Sequence, residues 1–105
     1  MTRSAFGLNR ADDSGRCAPM ITVSGEIDVT NAGEFGDSLA KLAATQPLIL
    51  DLSPLRYLDS AGFAALEHLL SERTIALVIS PQSPIHKAAE VMALPFFDDV
   101  DAASV

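Results

Sequence analysis

Residues 48–62 read LILDLSPLRYLDSAG, and this stretch decides the fold of the chain. The apolar run LILDL is bounded by Ser53 and Pro54, as is typical of a strand that is covered on both faces. The stretch ends in the small polar step DSAG, and apolar residues at helical spacing follow it directly. The sequence therefore predicts a buried strand, an apolar turn, and then a helix that begins close to Ser60.

Three amphipathic helices are predicted from apolar residues that recur at helical spacing. The first begins near Asn31, where Asn31 and Glu34 resemble a capping box. The second follows Gly62, and the third has Ser83 as its N-cap and Pro84 at its first position. The apolar faces expected are, in chain order, Ala32, Phe35, Leu39, Leu42 and Ala43; Phe63, Leu66 and Leu70; and Ile85, Ala88, Ala89 and Met92.

Further strands complete the pattern. Two strand-like pieces flank DDSGR, residues 12–16, whose composition suits a hairpin turn. IALVIS, residues 75–80, reads as another buried strand, and a short strand around Phe96 and Phe97 precedes the start of a last helix. The second hairpin strand alternates, with Ile21, Val23 and Ile27 on one face and Thr22, Ser24 and Glu26 on the other.

The predicted order of elements is strand, strand, helix, strand, helix, strand, helix. This alternation implies right-handed crossovers and a mostly parallel central sheet, here with an antiparallel N-terminal hairpin and with helices packed on the sheet. At 105 residues, the chain is long enough for one domain with a core and too short for two ordinary domains. We therefore expect an α/β fold in a single domain over residues 1–105.

Charge and composition exclude several classes of partner. Seven Lys plus Arg against 14 Asp plus Glu give a formal net charge of -7, which repels phosphate backbones and anionic lipid headgroups. No apolar run approaches the roughly 20 residues that cross a bilayer, and the N-terminus MTRSAFGLNR has no secretory apolar region. We expect a cytoplasmic protein with no nucleic-acid partner and no membrane insertion.

Metal and cofactor chemistry finds no motif in the sequence. Cys17 is the single cysteine and therefore cannot form an internal disulfide, and His68 and His86 do not form a ligand cluster at zinc-like spacing. There is no GxxxxGK[ST] loop and no GxGxxG turn after a strand. We expect no metal and no cofactor, and we interpret Cys17 as a small apolar residue, with a redox or intermolecular role as the alternative.

The serine in the DSAG step has two readings from its residue type alone. Ser60 or Asp59 can cap the second helix by accepting a hydrogen bond from an unpaired backbone N–H. A nucleophilic serine would need a GxSxG elbow, but Leu58 and Gly62 flank Ser60 where two glycines are required. Neither histidine lies in a motif that marks a general base, so we expect that the protein is not an enzyme.

Three segments taken together resemble the STAS domain family, and in particular its stand-alone branch of anti-sigma factor antagonists. They are SGEIDVTNA at 24–32, LILDLSPLRYLDSAGFAAL at 48–66, and IALVIS at 75–80 followed by a helix. The resemblance implies a small binding module with no catalytic residues. It also implies a partner: an anti-sigma factor that is a serine kinase with a histidine-kinase-like ATPase fold, and whose sequestration frees a sigma factor.

The resemblance also implies how binding is switched. The kinase phosphorylates the serine of the DS-x-G turn, which is Ser60 here, and a serine phosphatase reverses the modification. Asp28 matches an acidic position on the partner-binding surface, and Asp59, Ser60 and Gly62 match the phosphorylation turn. A helix N-terminus on an exposed loop is compatible with this role because it tolerates an added dianion. The alternative is a STAS docking or regulatory subunit of a lipid-transport or anion-transport complex.

The sequence departs from the family pattern near its C-terminal end. Relatives usually carry Gly-Leu after the third helix, where this chain has Ala93 and Leu94. The loop before Phe96 is shortened, and the last helix is cut short at Val105. These departures lie at the C-terminal end of the chain, away from the DSAG turn.

Overall fold

The computed structural model describes residues 5–11 and 18–103, which contain five strands and three helices. In chain order they are β1 (Phe6–Ala11), β2 (Met20–Ile27), α1 (Ala32–Leu42), β3 (Leu48–Asp51), β4 (Leu55–Leu58), α2 (Ser60–Glu72), β5 (Ile75–Val78) and α3 (His86–Val91). The predicted hairpin turn at 12–16 and the predicted role of Cys17 lie outside the described residues. None of the described helices is long and apolar enough to span a bilayer.

The five strands form one mixed sheet. β1 pairs antiparallel with β2, from Phe6 opposite Gly25 to Ala11 opposite Met20. The remaining pairs are parallel: β2 with β3, β3 with β5, and β2 with β4. The path is β1-β2-β3-β5, and β4 pairs with the end of β2, on the side opposite β1. The predicted α/β fold, with a mostly parallel sheet and an antiparallel N-terminal hairpin, is confirmed.

Strand β4 is absent from the predicted order, which reads this segment as an apolar turn. In β4, the two central residues Arg56 and Tyr57 are exposed while Leu55 and Leu58 are buried, so the segment does not alternate as a strand ordinarily does. Its register with β2 also shifts, at the bulge between Gly25 and the next residue. Pairing with β2 makes this segment a strand, and four residues of sequence do not reveal a pairing partner.

The sheet separates a large core from a small one. In β3, Leu48 and Leu50 belong to the large core, while Ile49 between them belongs to the small one because successive side chains point to opposite faces. The large core also holds the apolar sides of all three helices, as with Phe35 in α1 and Leu66 in α2. The small core comprises Ala18, Ile49, Ala76 and Val78, against which Met20, Phe97, Val100 and Ala103 pack. The prediction that LILD is covered on both faces is confirmed.

Helix α1 begins where the sequence predicts, but its predicted capping box is wrong. Asn31 occupies the N-cap position, yet its side chain makes no capping hydrogen bond, and Glu34 is exposed. The amide of Asn31 is used instead to fix the preceding loop, as described below. At the other end of the helix, Leu42 is 40% exposed and does not belong to the buried face that the spacing predicts.

Helix α3 begins later than predicted. The segment at Ser83 and Pro84 forms a turn, in which the Ser83 Oγ accepts a hydrogen bond from the Ile85 N–H at 3.3 Å. The first helical residue is His86, so Ser83 is not the N-cap and Pro84 is not the first helical position. Met92 is 42% exposed because the helix ends before it.

The segment after α3 lies beside the last strand of the sheet. Phe97 forms an isolated parallel bridge with Val78, which is all that remains of the predicted short strand. Residues 98–103 form bends and turns, so no last helix begins in the described part of the chain. Leu94 is buried, and Ala93 before it has a positive φ of 57°. The C-terminal segment therefore packs against the sheet without a helix of its own.

Candidate functional site

Two loops lie side by side at the carboxyl edge of the sheet. β2 and β4 are parallel, with Ile27 opposite Leu58, so the segments that follow them leave the sheet at the same edge. The Asp59 N–H donates to the Ile27 carbonyl at 3.2 Å, which continues the pairing by one residue. Loops at this edge of a parallel sheet are where α/β folds ordinarily place their binding residues. The candidate site consists of the loop at 28–31 and the turn at 59–62.

Asp59 is the residue that connects the two loops. It occupies the N-cap position of α2, with an extended backbone at φ -94° and ψ -174°, and its Oδ1 accepts from the Gly62 N–H at 3.1 Å. Its Oδ2 accepts from the Val29 N–H at 3.1 Å. One carboxylate therefore caps the helix and holds the neighbouring loop. The sequence left Asp59 and Ser60 as alternative caps, and the structure assigns the cap to Asp59.

Ser60 is the first residue of α2, and it is exposed. Its hydroxyl is not the acceptor that caps the helix, because Asp59 supplies that acceptor. The first turn of α2 contains no acidic residue, so the positive end of the helix faces Ser60 without a competing carboxylate on the helix itself. The position combines access from solvent with the positive end of a helix, which the neighbouring carboxylate of Asp59 opposes.

Gly62 is buried, and internal packing explains why this position needs a glycine. A Cβ at this position would lie 2.3 Å from Cδ1 of Leu58 and 3.0 Å from Cγ2 of Ile27. The absence of a side chain lets the first turn of α2 lie directly on the ends of β2 and β4. The sequence predicts a partner contact at Gly62; that contact stays a prediction, and the glycine has this separate structural role.

The loop at 28–31 is fixed by its own polar groups. The Asp28 Oδ1 accepts from the Thr30 N–H at 2.8 Å and from the Thr30 hydroxyl. The Asn31 Oδ1 accepts from the Asp28 N–H at 2.8 Å, and the Asn31 side-chain amide donates to the Glu26 carbonyl at 3.0 Å. Asn31 is only 6% exposed, so its own two hydrogen bonds are partly shielded from water, while the bonds between Asp28 and Thr30 are exposed. The loop is held in one conformation.

The structure places the loop that carries Asp28 beside the turn that carries Asp59 and Ser60, through the bond from Val29 to Asp59. Sequence reasoning missed two residues in the same place. The sequence pattern predicts a capping role for Asn31, although an Asn three residues after an Asp can equally fix a turn. Val29 is not among the predicted site residues, and its signal in the sequence is an apolar side chain at the centre of the polar run DVTN.

Both histidines contact carboxylates away from the Ser60 turn. His68 on α2 lies 3.5 Å from Glu72, and His86 on α3 lies 3.3 Å from both Glu90 and Asp98. Neither contact places an imidazole against Ser60 as a general base. Over residues 5–11 and 18–103, no group of three His, Cys, Asp or Glu side chains has a geometry that could hold a metal ion. Among the described residues, the site offers an accessible hydroxyl beside the Asp59 carboxylate.

Comparisons with known proteins agree with this architecture. The family model of the STAS domain matches residues 11–103. The chain belongs to the STAS domain family.

Two solved structures are similar to the chain. The crystal structure of an anti-sigma factor antagonist from Mycobacterium paratuberculosis has a TM-score of 0.70 and 23% sequence identity, over 92% of this chain and 89% of the other. The antisigma-factor antagonist STAS domain from Rhodobacter sphaeroides has a TM-score of 0.57 and 16% identity, over 81% of this chain and 92% of the other. At these identities, the likeness shows a shared fold.

Proposed function

We propose that this protein is an anti-sigma factor antagonist whose binding is switched off by phosphorylation of Ser60. In its unphosphorylated form it sequesters an anti-sigma factor that is also a serine kinase of histidine-kinase-like ATPase fold, and a sigma factor is thereby released. A serine phosphatase restores the binding form. The observation that carries the proposal is the exposed hydroxyl of Ser60 at the first position of α2, on the same sheet edge as the loop at 28–31.

Phosphorylation is compatible with the fold at this position. The phosphate carries about -1.5 to -2 charges at pH 7, and the N-terminal end of α2 attracts an anion. The neighbouring carboxylate of Asp59 opposes it by like-charge repulsion. These two contributions have opposite signs and similar size, and Ser60 is exposed, so the modified protein keeps its fold and its melting temperature.

The same phosphate weakens the complex. A partner surface that fits the Ser60 hydroxyl would have to cover the dianion and remove its water. Burying a charge without a counter-charge costs several kcal/mol, and the attraction of the phosphate to the end of α2 does not offset this cost. We expect phosphorylation to lower the affinity at least tenfold, or by about 1.4 kcal/mol.

The test uses the anti-sigma factor kinases encoded by the source organism, each purified and titrated calorimetrically with this protein. We expect one of them to bind the unphosphorylated form and to phosphorylate Ser60, identified by mass spectrometry. Ser60→Ala should bind without being switched off. Ser71→Ala is the matched control, because Ser71 is an exposed serine on the same helix whose hydroxyl donates to the His68 carbonyl, and it should be phosphorylated as the wild type is.

Two results would contradict the proposal. One is that no anti-sigma factor binds, while a lipid-transport or anion-transport complex retains the protein, which would favour the docking-subunit alternative. The other is equal affinity of the phosphorylated and unphosphorylated forms for the same kinase.

A further inference from the structure

Val29 lies at the centre of the candidate site with its side chain in solvent. It is 76% exposed, the highest value among the large apolar side chains that the structure describes as exposed. Isolated exposed apolar residues are common on protein surfaces, and exposure alone assigns no role to them. What sets Val29 apart is how its backbone is held.

The backbone around Val29 is fixed from both sides. The Val29 N–H donates to the Asp59 carboxylate, and the next N–H, of Thr30, donates to the Asp28 carboxylate. The Asp28 carbonyl accepts from the N–H groups of Asn31 and Ala32 at 3.2 and 2.8 Å. The loop therefore cannot turn Val29 inward without breaking several of these bonds.

A rigid loop that exposes a β-branched apolar side chain is prepared for binding. Valine has few rotamers to lose, and the loop is already ordered, so a partner that covers Val29 gains the burial of apolar surface with little loss of entropy. The bond from Val29 to Asp59 also fixes the distance between this side chain and Ser60 in the neighbouring turn. A partner that contacts Ser60 is thereby placed over Val29.

We propose that Val29 is the apolar anchor through which the anti-sigma factor recognises this loop, and that Asp28 is a positioning residue that holds the loop. The inference rests on the proposed function. The partner presents an apolar pocket for Val29, beside a group that accepts a hydrogen bond from the Ser60 hydroxyl. The Asp28 Oδ1 accepts from both polar hydrogens of Thr30, which makes Asp28 a fixed part of the loop.

The first experiment varies Val29 and titrates each variant against the purified anti-sigma factor kinase that binds the wild type. Val29→Ala removes two methyl groups from the contact and should weaken binding about tenfold. Val29→Thr keeps the branched shape but places a hydroxyl in the partner's apolar pocket, and it should weaken binding by a similar factor. Val91→Ala is the matched control, because Val91 on α3 is 74% exposed and α3 follows β5, two strands across the sheet from β2; it should bind as the wild type does.

The second experiment separates a positioning role of Asp28 from a charge contact. Asp28→Asn keeps an oxygen that can accept from Thr30 while it removes the charge, so it should retain affinity within about twofold. Asp28→Ala loses the acceptor and should weaken binding about tenfold, with faster hydrogen exchange at the amides of the loop.

The outcomes distinguish this inference from the proposed function. If no anti-sigma factor binds the wild type, both are overturned. If the wild type binds and both Val29→Ala and Val29→Thr bind as tightly as the wild type does, only the anchor is overturned. If Asp28→Asn loses as much affinity as Asp28→Ala while the loop amides stay protected, Asp28 contacts the partner through its charge and the positioning role is overturned.

Discussion

The assignment of the α2 cap to Asp59 leads to a prediction that separates two adjacent residues. Asp59→Ala removes the acceptor of the Gly62 N–H and of the Val29 N–H together. Loss of an Asp cap costs about 1 kcal/mol, and loss of a second, solvent-accessible hydrogen bond costs about 0.5 kcal/mol. The expected loss of stability is therefore about 1.5 kcal/mol, which corresponds to a fall in melting temperature of roughly 6–12 °C for a domain of this size.

Ser60→Ala should behave differently, although residue types alone would let either position cap the helix. Ser60 is exposed and lies within α2, where alanine is a better helix former than serine. Its stability should stay within about 0.5 kcal/mol of the wild type, as is usual for a surface substitution. The structure thus revises the loss of about 1 kcal/mol that a capping role for Ser60 would imply.

The assay is thermal and urea unfolding, monitored by circular dichroism, of the wild type and of Asp59→Ala, Asp59→Asn and Ser60→Ala. Asp59→Asn should recover most of the lost stability, because asparagine caps helices as well as aspartate does and its side-chain oxygen can still accept from Gly62. The assignment would be refuted if Ser60→Ala were as destabilised as Asp59→Ala, or if Asp59→Ala unfolded at the wild-type temperature.

Three further predictions follow from the structure. Gly62→Ala should lower the free energy of unfolding by about 1–2 kcal/mol, because the overlap of the new Cβ with Leu58 outweighs the gain of about 1 kcal/mol in helix propensity. Urea unfolding measures this change, and unchanged stability would mean that α2 can move away from the sheet. Ala93→Gly should raise the free energy of unfolding by about 0.5–1 kcal/mol, because Ala93 has a φ of 57°, a left-handed conformation that favours glycine. Ala88→Gly within α3 is the control and should lower the free energy of unfolding. A loss of stability in Ala93→Gly would contradict backbone strain at this residue. Protein phosphorylated at Ser60 should melt within about 2 °C of the unmodified form, and it should bind the kinase at least tenfold more weakly. Circular dichroism measures the melting temperature and calorimetry measures the affinity on the same sample. A phosphorylated protein that is unfolded would contradict the mechanism.

The departure at Ala93 shows how the sequence and the structure inform each other. The resemblance to the STAS family predicts a glycine at this position, without a reason for it. The structure supplies the reason, because the chain turns at this residue with a positive φ so that Leu94 can enter the core. Leu94 is 4% exposed, so the turn at Ala93 brings it into the core.

The sequence by itself determined the α/β class, the antiparallel hairpin, the buried strand β3 and most of the apolar faces of α1 and α2, from which Leu42 is the exception. Each of these depends on a local pattern: alternation in a strand, helical spacing in a helix, or an apolar run between turn residues. Such patterns arise because burial repeats with the period of the local structure. They can therefore be recognised within a window of about ten residues.

Only the tertiary structure decided the features that depend on residues distant in sequence. β4 is a strand because β2 pairs with it, and a glycine packs best at position 62 because Leu58 and Ile27 lie where a Cβ would be. Asp59 and Ser60 are equally suited to cap a helix by residue type, and backbone geometry selects Asp59. The position of Val29 likewise depends on a hydrogen bond across 30 residues of chain. Contacts at such a separation leave no periodic signal in the sequence, so they could not be predicted from it.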